Sequence, residues 1–314
     1  MSVPISARED FPVRLQKQAR AQGQTRHSEN GVSWLAVTAW SGFDWLWHGF
    51  STRQSGLSRA YQATDVTDTS AGELNLGFTA ADSTEIVREN RRRLVEAVTG
   101  SRETPLVTVR QVHSRVSVLT RDADATFGAA PPEADGILTN QRGILLGIQT
   151  ADCIPVLVAD PVRRAVGAFH AGWRGTVERI VELGIRQMQE EFGSDAAQLV
   201  AAIGPGIGPC CYIVGDEVLA RFDAAFAYSR ELFSADAAGD DWADSDGTSK
   251  ARRPALRLDL IEANRRQLLT AGLDAGSIAI VGGCTACQRE RFFSHRASQG
   301  HAGRMMAVIG IRQG

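Results

Sequence analysis

Three short polar words are set into otherwise apolar stretches: Arg110-Gln111-Val112-His113, Thr150-Ala151-Asp152-Cys153 and His170-Ala171-Gly172-Trp173-Arg174-Gly175. A cysteine and two histidines are ligand types of a catalytic zinc that keeps its fourth position for water, and thiolate with neutral imidazole suits that metal. His113, Cys153 and His170 each stand at or just past the end of an apolar run. Strand ends on one edge of a sheet converge on a crevice, where open sheets place their sites. If the three meet, the chain is a hydrolytic or group-transfer enzyme for a small polar substrate. Three separately satisfied core residues are the plain alternative.

Other residues could complete such a site. Asp152, next to Cys153, could orient a ligand or act as a general base; a turn aspartate is the alternative. Gln111 and Asn75 offer neutral donor–acceptor groups that suit the edge of a purine or a sugar, or else backbone capping. Arg174 brings a fixed fork for phosphate or carboxylate. It lies in a small-residue turn into a helix, whose amide end favours anions. Arg53 and Arg296 are further anion clamps, with surface arginines as the bland reading. The turn Gly204-Pro205-Gly206-Ile207-Gly208-Pro209 lacks the Gly-Lys-Ser/Thr ending of a Walker A loop. Cys284-x-x-Cys287 has no second pair of the same type, so a zinc ribbon is not expected. No Gly-x-Ser-x-Gly elbow occurs.

The elements that must position these words follow from pattern. Val32 to Val37 and Trp45 to Phe50 read as strands around a turn at Ser41-Gly42-Phe43-Asp44. Gln54 to Glu73 is loop-like. Asp82 with Glu85 predicts a capped helix to Thr99, stopped by Gly100. Leu106 to Thr120 alternates as strand, broken by Gln111 and His113. Ile144 to Ile148, Ile154 to Ala159 and Ala165 to Phe169 are apolar throughout, as strands buried on both faces are. Val177, Ile180, Val181, Ile185, Met188 and Phe192 recur at helical spacing up to Gly193. Leu199 to Ile203 is a strand, Asp259 to Ala271 a capped helix stopped by Gly272, and Ile278 to Val281 and Met305 to Ile311 close the chain as strands. The irregular alternation and the opening hairpin predict an α+β (mixed α/β) layered fold rather than a doubly wound parallel sheet.

Bulk properties bound the rest. The 314 residues are 43% hydrophobic and 22% charged, with a formal net charge of -2. That profile is globular and gives no broad pull toward nucleic acid or anionic membrane. No apolar stretch has the length of a membrane span. Residues 1–30 are polar, without an apolar signal core, and read as a flexible extension ahead of one catalytic domain over 31–314. A cytoplasmic location follows as an expectation. Residues 234–254 are rich in Asp, Ala, Gly and Ser and read as a surface insertion. The five cysteines, an odd number, argue against a disulfide framework and leave reduced, mostly buried thiols as the default.

An ordered set of motifs from about Trp45 to Ile311 resembles the laccase-like multicopper polyphenol oxidoreductase family, also called the purine nucleoside phosphorylase or peptidoglycan editing factor family. The set is His48-Gly49-Phe50-Ser51-Thr52-Arg53, Asn75-Leu76-Gly77, Gln111-Val112-His113, Ala134-Asp135-Gly136, Thr150-Ala151-Asp152-Cys153, the His170 to Gly175 word, Gly204-Pro205 with Cys210-Cys211-Tyr212, and Phe292-Phe293-Ser294-His295-Arg296. The resemblance implies a single layered sandwich of two mixed β-sheets flanked by helices, with zinc held by His113, Cys153 and His170. It also implies phosphorolysis of adenosine, inosine and methylthioadenosine, and deamination of adenosine, so that the partners are a purine nucleoside and phosphate. Other members are described as polyphenol oxidases, and one branch is linked to editing of peptidoglycan precursors. His295 stands where the family often has tyrosine.

Six histidines in all are too few for a blue-copper centre plus a histidine-rich trinuclear cluster, so copper and polyphenol oxidation are disfavoured. Two further readings compete with the zinc enzyme. One is a metal-free cysteine hydrolase with Cys153 as nucleophile and His113 or His170 as base. The other is a non-catalytic module that binds a nucleoside or cell-wall precursor without turning it over.

Overall fold

A computed structural model describes residues 23–62, 72–121, 131–236 and 255–313 of the chain. Two six-stranded sheets form its centre. The first runs, in spatial order, Gly23–His27, Ser33–Val37, Leu46–Ser51, Met305–Ile311, Leu145–Thr150 and Leu106–Thr108. The second runs Ile278–Ile280, Val200–Ile203, Ile154–Asp160, Ala165–Ala171, Gly136–Thr139 and Ser117–Leu119. Both are mixed. Leu106–Thr108 lies parallel to Leu145–Thr150, and both edge strands of the second sheet pair parallel with their neighbours, while the inner ladders are antiparallel.

Side-chain alternation explains the layers. In Ile154–Asp160, Leu157 and Ala159 face the core between the two sheets, and Ile154, Val156 and Val158 face outward. That outer face is covered by Ile180, Val181, Ile185 and Met188 of the helix Ile180–Phe192 and by Leu260, Ala263 and Leu268 of the helix Leu260–Thr270. On the far side, Leu145, Met306 and Val308 pack under Leu94 and Val95 of the helix Thr84–Thr99. The result is helix, sheet, sheet, helix. Strands covered on both faces must be apolar at every position, which is why the central runs show no polar alternation.

Several expected boundaries move. Part of the stretch read as a flexible extension is a strand: Gly23–His27 pairs along its whole length with Ser33–Val37. The first helix is capped by Ser83, whose side chain accepts from Ile86 N, and not by Asp82. Asp82 instead accepts from Asn75 Nδ2 at 2.8 Å and Ser58 Oγ at 2.5 Å. The helix after His170 comes in two pieces, Trp173–Val177 and Ile180–Phe192, separated by Arg179 at φ +62°. Leu106 to Thr120 is two strands in different sheets, so the segment that holds Gln111 and His113 crosses between them. Ser234 belongs to the strand Phe233–Asp236, which pairs with Ala255–Leu258. The rest of the expected insertion lies outside the described residues. No helix among the described residues is long and apolar enough to cross a membrane.

Leu157 is fully buried at the centre of the inter-sheet core. Leu157→Ala should lower unfolding free energy by about 2–5 kcal/mol in urea titration. A loss below about 1 kcal/mol would mean that the sheets do not close on this residue.

Candidate metal centre

The hairpin Ile154–Asp160/Ala165–Ala171 pairs Ile154 with Ala171 and Pro155 with His170. Its register therefore sets Cys153, one residue before the first strand, beside His170, near the end of the second. His113 arrives from the crossing segment. One ligand atom from each of His113, Cys153 and His170 lies within 4.8 Å of the others. His113 Nε2 is 3.9 Å from Cys153 Sγ, against about 3.6 Å for two ligands of a tetrahedral zinc with usual bond lengths. The imidazoles meet edge to face with centroids 5.0 Å apart. His170 is buried, Cys153 half-buried and His113 exposed, so the cluster opens to solvent on one side.

Asp135 builds this arrangement. Its carboxylate is fully buried and accepts five hydrogen bonds: from Val112 N, His113 N, Ser114 N, Ser114 Oγ and His170 Nδ1. Its own carbonyl accepts from His170 N at 2.7 Å. One side chain thus fixes the backbone that presents His113 and the ring that presents His170. Because Nδ1 of His170 is taken, Nε2 is the nitrogen left to face Cys153. Burial alone would raise the Asp135 carboxyl, but the bonds from His170 and Ser114 pull it down to about 2.

Backbone strain gathers at the same place. His113 has φ +61° and Asp152 φ +86°, conformations that cost a non-glycine residue of order 1–3 kcal/mol unless its surroundings enforce them. The Asp135 carboxylate enforces the first. For Asp152, the carbonyl accepts from Ile207 N, Oδ1 from Thr285 Oγ1 at 2.6 Å and Oδ2 from Arg296 N at 2.6 Å. Gly172 is required by space. A Cβ there would lie 2.9 Å from Cys153 Sγ and 3.1 Å from His113 Cδ2.

The electrostatics prepare a thiolate. Burial by itself would push the Cys153 thiol up; the facing His170 and His113 outweigh it and hold it down to about 6. Burial would likewise lower His170, but Cys153 and Asp135 raise it to about 9. A cation bound here replaces the proton between them. A thiolate, two imidazoles and an oriented partner carboxylate form a donor set that fits zinc.

The expected substrate residues divide. Burial and then the charge of Cys153 push the Tyr212 phenol up, with Arg296, Asp152 and Arg174 also within electrostatic reach. Both arginines are exposed. Arg296 Cζ lies 5.2 Å from the centre of its ring, and Arg174 stacks on Trp173 at 4.6 Å. The helix that contains Arg174, Trp173–Val177, has only five residues, too short for the expected anion site at its amide end.

Three of the expected substrate residues bond to the protein itself. Asn75 is fully buried, and its amide is saturated by Gly77 N, Gly77 O, Arg304 N and Asp82. Gln111 clasps the peptide of Gln149 in both directions at 2.8 Å and so extends the strand pairing beside it. Arg53 pairs with Glu73, donates to Arg289 O and Tyr61 O, and covers Phe293, so its fork is already filled by protein. Asp152, expected to orient a ligand or act as a general base, makes the three contacts just described. The cysteines also depart from expectation. Only Cys284 is buried, and the Cys284–Cys287 pair meets Cys210 and Cys211.

In the sequence, Asp135 and Tyr212 stand inside motifs with no part of their own. An aspartate flanked by Ala and Gly just ahead of an apolar strand was the available signal for the first.

Asp135→Asn cannot accept at both oxygens, and metal affinity should fall about 10–100-fold in chelator competition. Unchanged affinity would show that the two histidines are held by something else. Gly172→Ala should weaken metal binding while leaving the urea midpoint nearly in place; full metal binding would contradict the crowding at Cys153. In chelator-stripped protein, alkylation of Cys153, followed by peptide mapping, should rise through about pH 6. A midpoint in the ordinary thiol range near about 8.5 would contradict the depressed thiol.

Residues 47–312 match the family described as multi-copper polyphenol oxidoreductase laccase. The chain is 35% identical over 270 residues to a protein of Geobacillus stearothermophilus named purine nucleoside phosphorylase YlmD, covering 84% of this chain and 90% of that protein. It is 35% identical over 210 residues to a protein named adenosine deaminase RL5 from an unknown prokaryotic organism, covering 65% of this chain and 74% of that one. The crystal structure of Bacillus licheniformis hypothetical protein YfiH superposes with a TM-score of 0.74 at 30% identity, covering 92% of this chain and 99% of that chain. Motifs, layered sheets and matches over most of the length agree, and the chain belongs to this laccase-like family.

Proposed function

We propose that the chain is a purine nucleoside enzyme whose chemistry is centred on zinc held by His113, Cys153 and His170. The observation that carries this reading is the meeting of those three side chains around one point, open to solvent at His113 and braced by Asp135. The names of the relatives support the substrate class. Phosphorolysis of adenosine, inosine or methylthioadenosine would take phosphate as the second reactant, and deamination of adenosine would take water. When bound, the zinc supplies a Lewis acid.

The protein's own groups do the rest. Arg174 and Arg296 are exposed, and guanidinium forks suit phosphate; Arg296 Nη1 already donates to Ile213 O at 2.7 Å. Tyr212 keeps its proton and can donate it in a hydrogen bond to a nucleoside oxygen or ring nitrogen. Asp152 holds Arg296 and Thr285 in register from below. The histidines argue against a multi-copper centre. Besides His113 and His170, His27 bonds Ser33, His48 packs edge-on against Trp40, His301 lies on Tyr61, and His295 is exposed. These positions do not gather the histidines into the blue-copper and trinuclear centres that such oxidases need.

One observation favours a second reading. Without a cation, Cys153, His170 and Asp135 form a thiolate, imidazolium and carboxylate series, which is the layout of a cysteine nucleophile with an oriented base.

Incubation with adenosine and phosphate, followed by chromatography, tests the proposal. Adenosine should give adenine with ribose phosphate, or inosine; no turnover of adenosine, inosine or methylthioadenosine would overturn it. Cys153→Ala should lose at least about 10²-fold in rate, and a fully active variant would remove the cluster from the chemistry. Chelation should abolish turnover and zinc restore it. Turnover that survives chelation would select the metal-free cysteine reading.

A further inference from the structure

A second set of metal-type ligands lies outside this site. Cys210, Cys211, Cys284 and Cys287 bring their four sulfurs within 4.8 Å of one another. Cys287 Sγ is 3.5 Å from Cys210 Sγ and 3.3 Å from Cys211 Sγ. The four come from two separate loops. The first is a tight turn in which Cys211 N and Tyr212 N both donate to Gly208 O, so that consecutive side chains reach the same point. An extended strand would send them to opposite faces. In the second loop, Cys284 and Cys287 are three residues apart, and Gln288 N donates back to Cys284 O. The loops touch through the bridge of Gly206 with Cys284 and the bond from Thr285 N to Gly206 O.

Distance separates the alternatives. A disulfide needs about 2.05 Å between sulfurs, well under the observed contacts. Four thiolates around one tetrahedral zinc at about 2.3 Å stand about 3.8 Å apart, inside the range found. An iron–sulfur cluster shares its thiolates among several irons and spreads them more widely. Backbone donors are also in place, since Gly208 N–H and Cys287 N–H point at Cys284 Sγ, an arrangement that stabilises a bound thiolate. Space is already tight at Gly208, where a Cβ would meet Cys210 Sγ at 3.3 Å and Cys284 Cβ at 3.2 Å.

We propose that Cys210, Cys211, Cys284 and Cys287 form a second, closed tetrathiolate site for zinc that ties together the loops carrying Tyr212 and Thr285. On binding, each thiol gives its proton to solvent and each sulfur takes one coordination position, leaving none for a reactant. The site is structural. Its loops end on the first centre, since Tyr212 directly follows Cys211, and Thr285, next to Cys284, donates to Asp152.

The test is metal analysis of full-length protein purified from zinc-containing medium without chelator. The unaltered chain should hold more than one zinc. His113→Ala with Cys153→Ala should retain one equivalent, and adding Cys284→Ser and Cys287→Ser should remove it. Cys284→Ser with Cys287→Ser alone should lose one equivalent and keep the other. If that pair of substitutions leaves zinc content unchanged, the proposal is overturned. It is equally overturned if mass spectrometry of freshly purified, unreduced protein shows a bridge between Cys287 and Cys210 or Cys211 in place of metal, or if the retained metal is iron. Should the variants fold poorly, cobalt substitution of the unaltered chain gives an independent reading. Charge-transfer absorption of a four-thiolate centre should appear beside the weaker signal of a one-thiolate centre; the weaker signal alone would refute the second site. Loss of metal from the His113→Ala, Cys153→Ala protein would refute this site while leaving the nucleoside reading standing.

Discussion

The buried carboxylate of Asp135 is the joint on which the site depends. It holds three consecutive amides of the crossing segment and the ring of His170 at once. A buried charge is tolerable only when such donors surround it. Here they are the same groups that must be fixed in space for His113 and His170 to share a ligand. Holding the carboxylate ionised and holding the site open are one interaction, and neither histidine would keep its direction without it.

The layered fold delivers that joint. Asp135 immediately precedes the strand Gly136–Thr139, which pairs with Ala165–Ala171, and His170 N reaches back to Asp135 O. The neighbouring ladder sets Cys153 opposite the end of the same strand. Register is fixed because a slip of one residue would turn Leu157 and Ala159 out of the inter-sheet core. Packing in the inter-sheet core therefore decides whether a sulfur and two nitrogens meet. Around this rigid centre, two loops supply Tyr212, Thr285 and Arg296, and Asp152 staples them with its carbonyl and both carboxylate oxygens.

Much of this was legible in the sequence. Apolar runs without alternation identified strands covered on both faces, and Asp259 and Gly272 bounded their helix because caps are local chemistry. His113, Cys153 and His170 stood out because polar residues at the ends of buried strands need partners. Three residue types with ligand chemistry turn out to have protein partners. Asn75, Gln111 and Arg53 have the right chemistry for a ligand, but the backbone and Glu73 reach them first. Such competition is settled by tertiary distance, which residue type does not encode. Asp135 was passed over for the converse reason: its partners are main-chain amides, and every sequence has those. The cysteine pairs lie more than seventy positions apart, so no spacing rule joins Cys210-Cys211 to Cys284-x-x-Cys287.

The central claim is spatial, and diffraction from crystals of the zinc-loaded chain, with anomalous data on either side of the zinc absorption edge, tests it most directly. The account predicts an anomalous peak bonded to His113 Nε2, Cys153 Sγ and the nitrogen of His170 that Asp135 leaves unbound. Well-ordered density for those three side chains with no peak between them, or with the rings turned into separate parts of the interior, would contradict it.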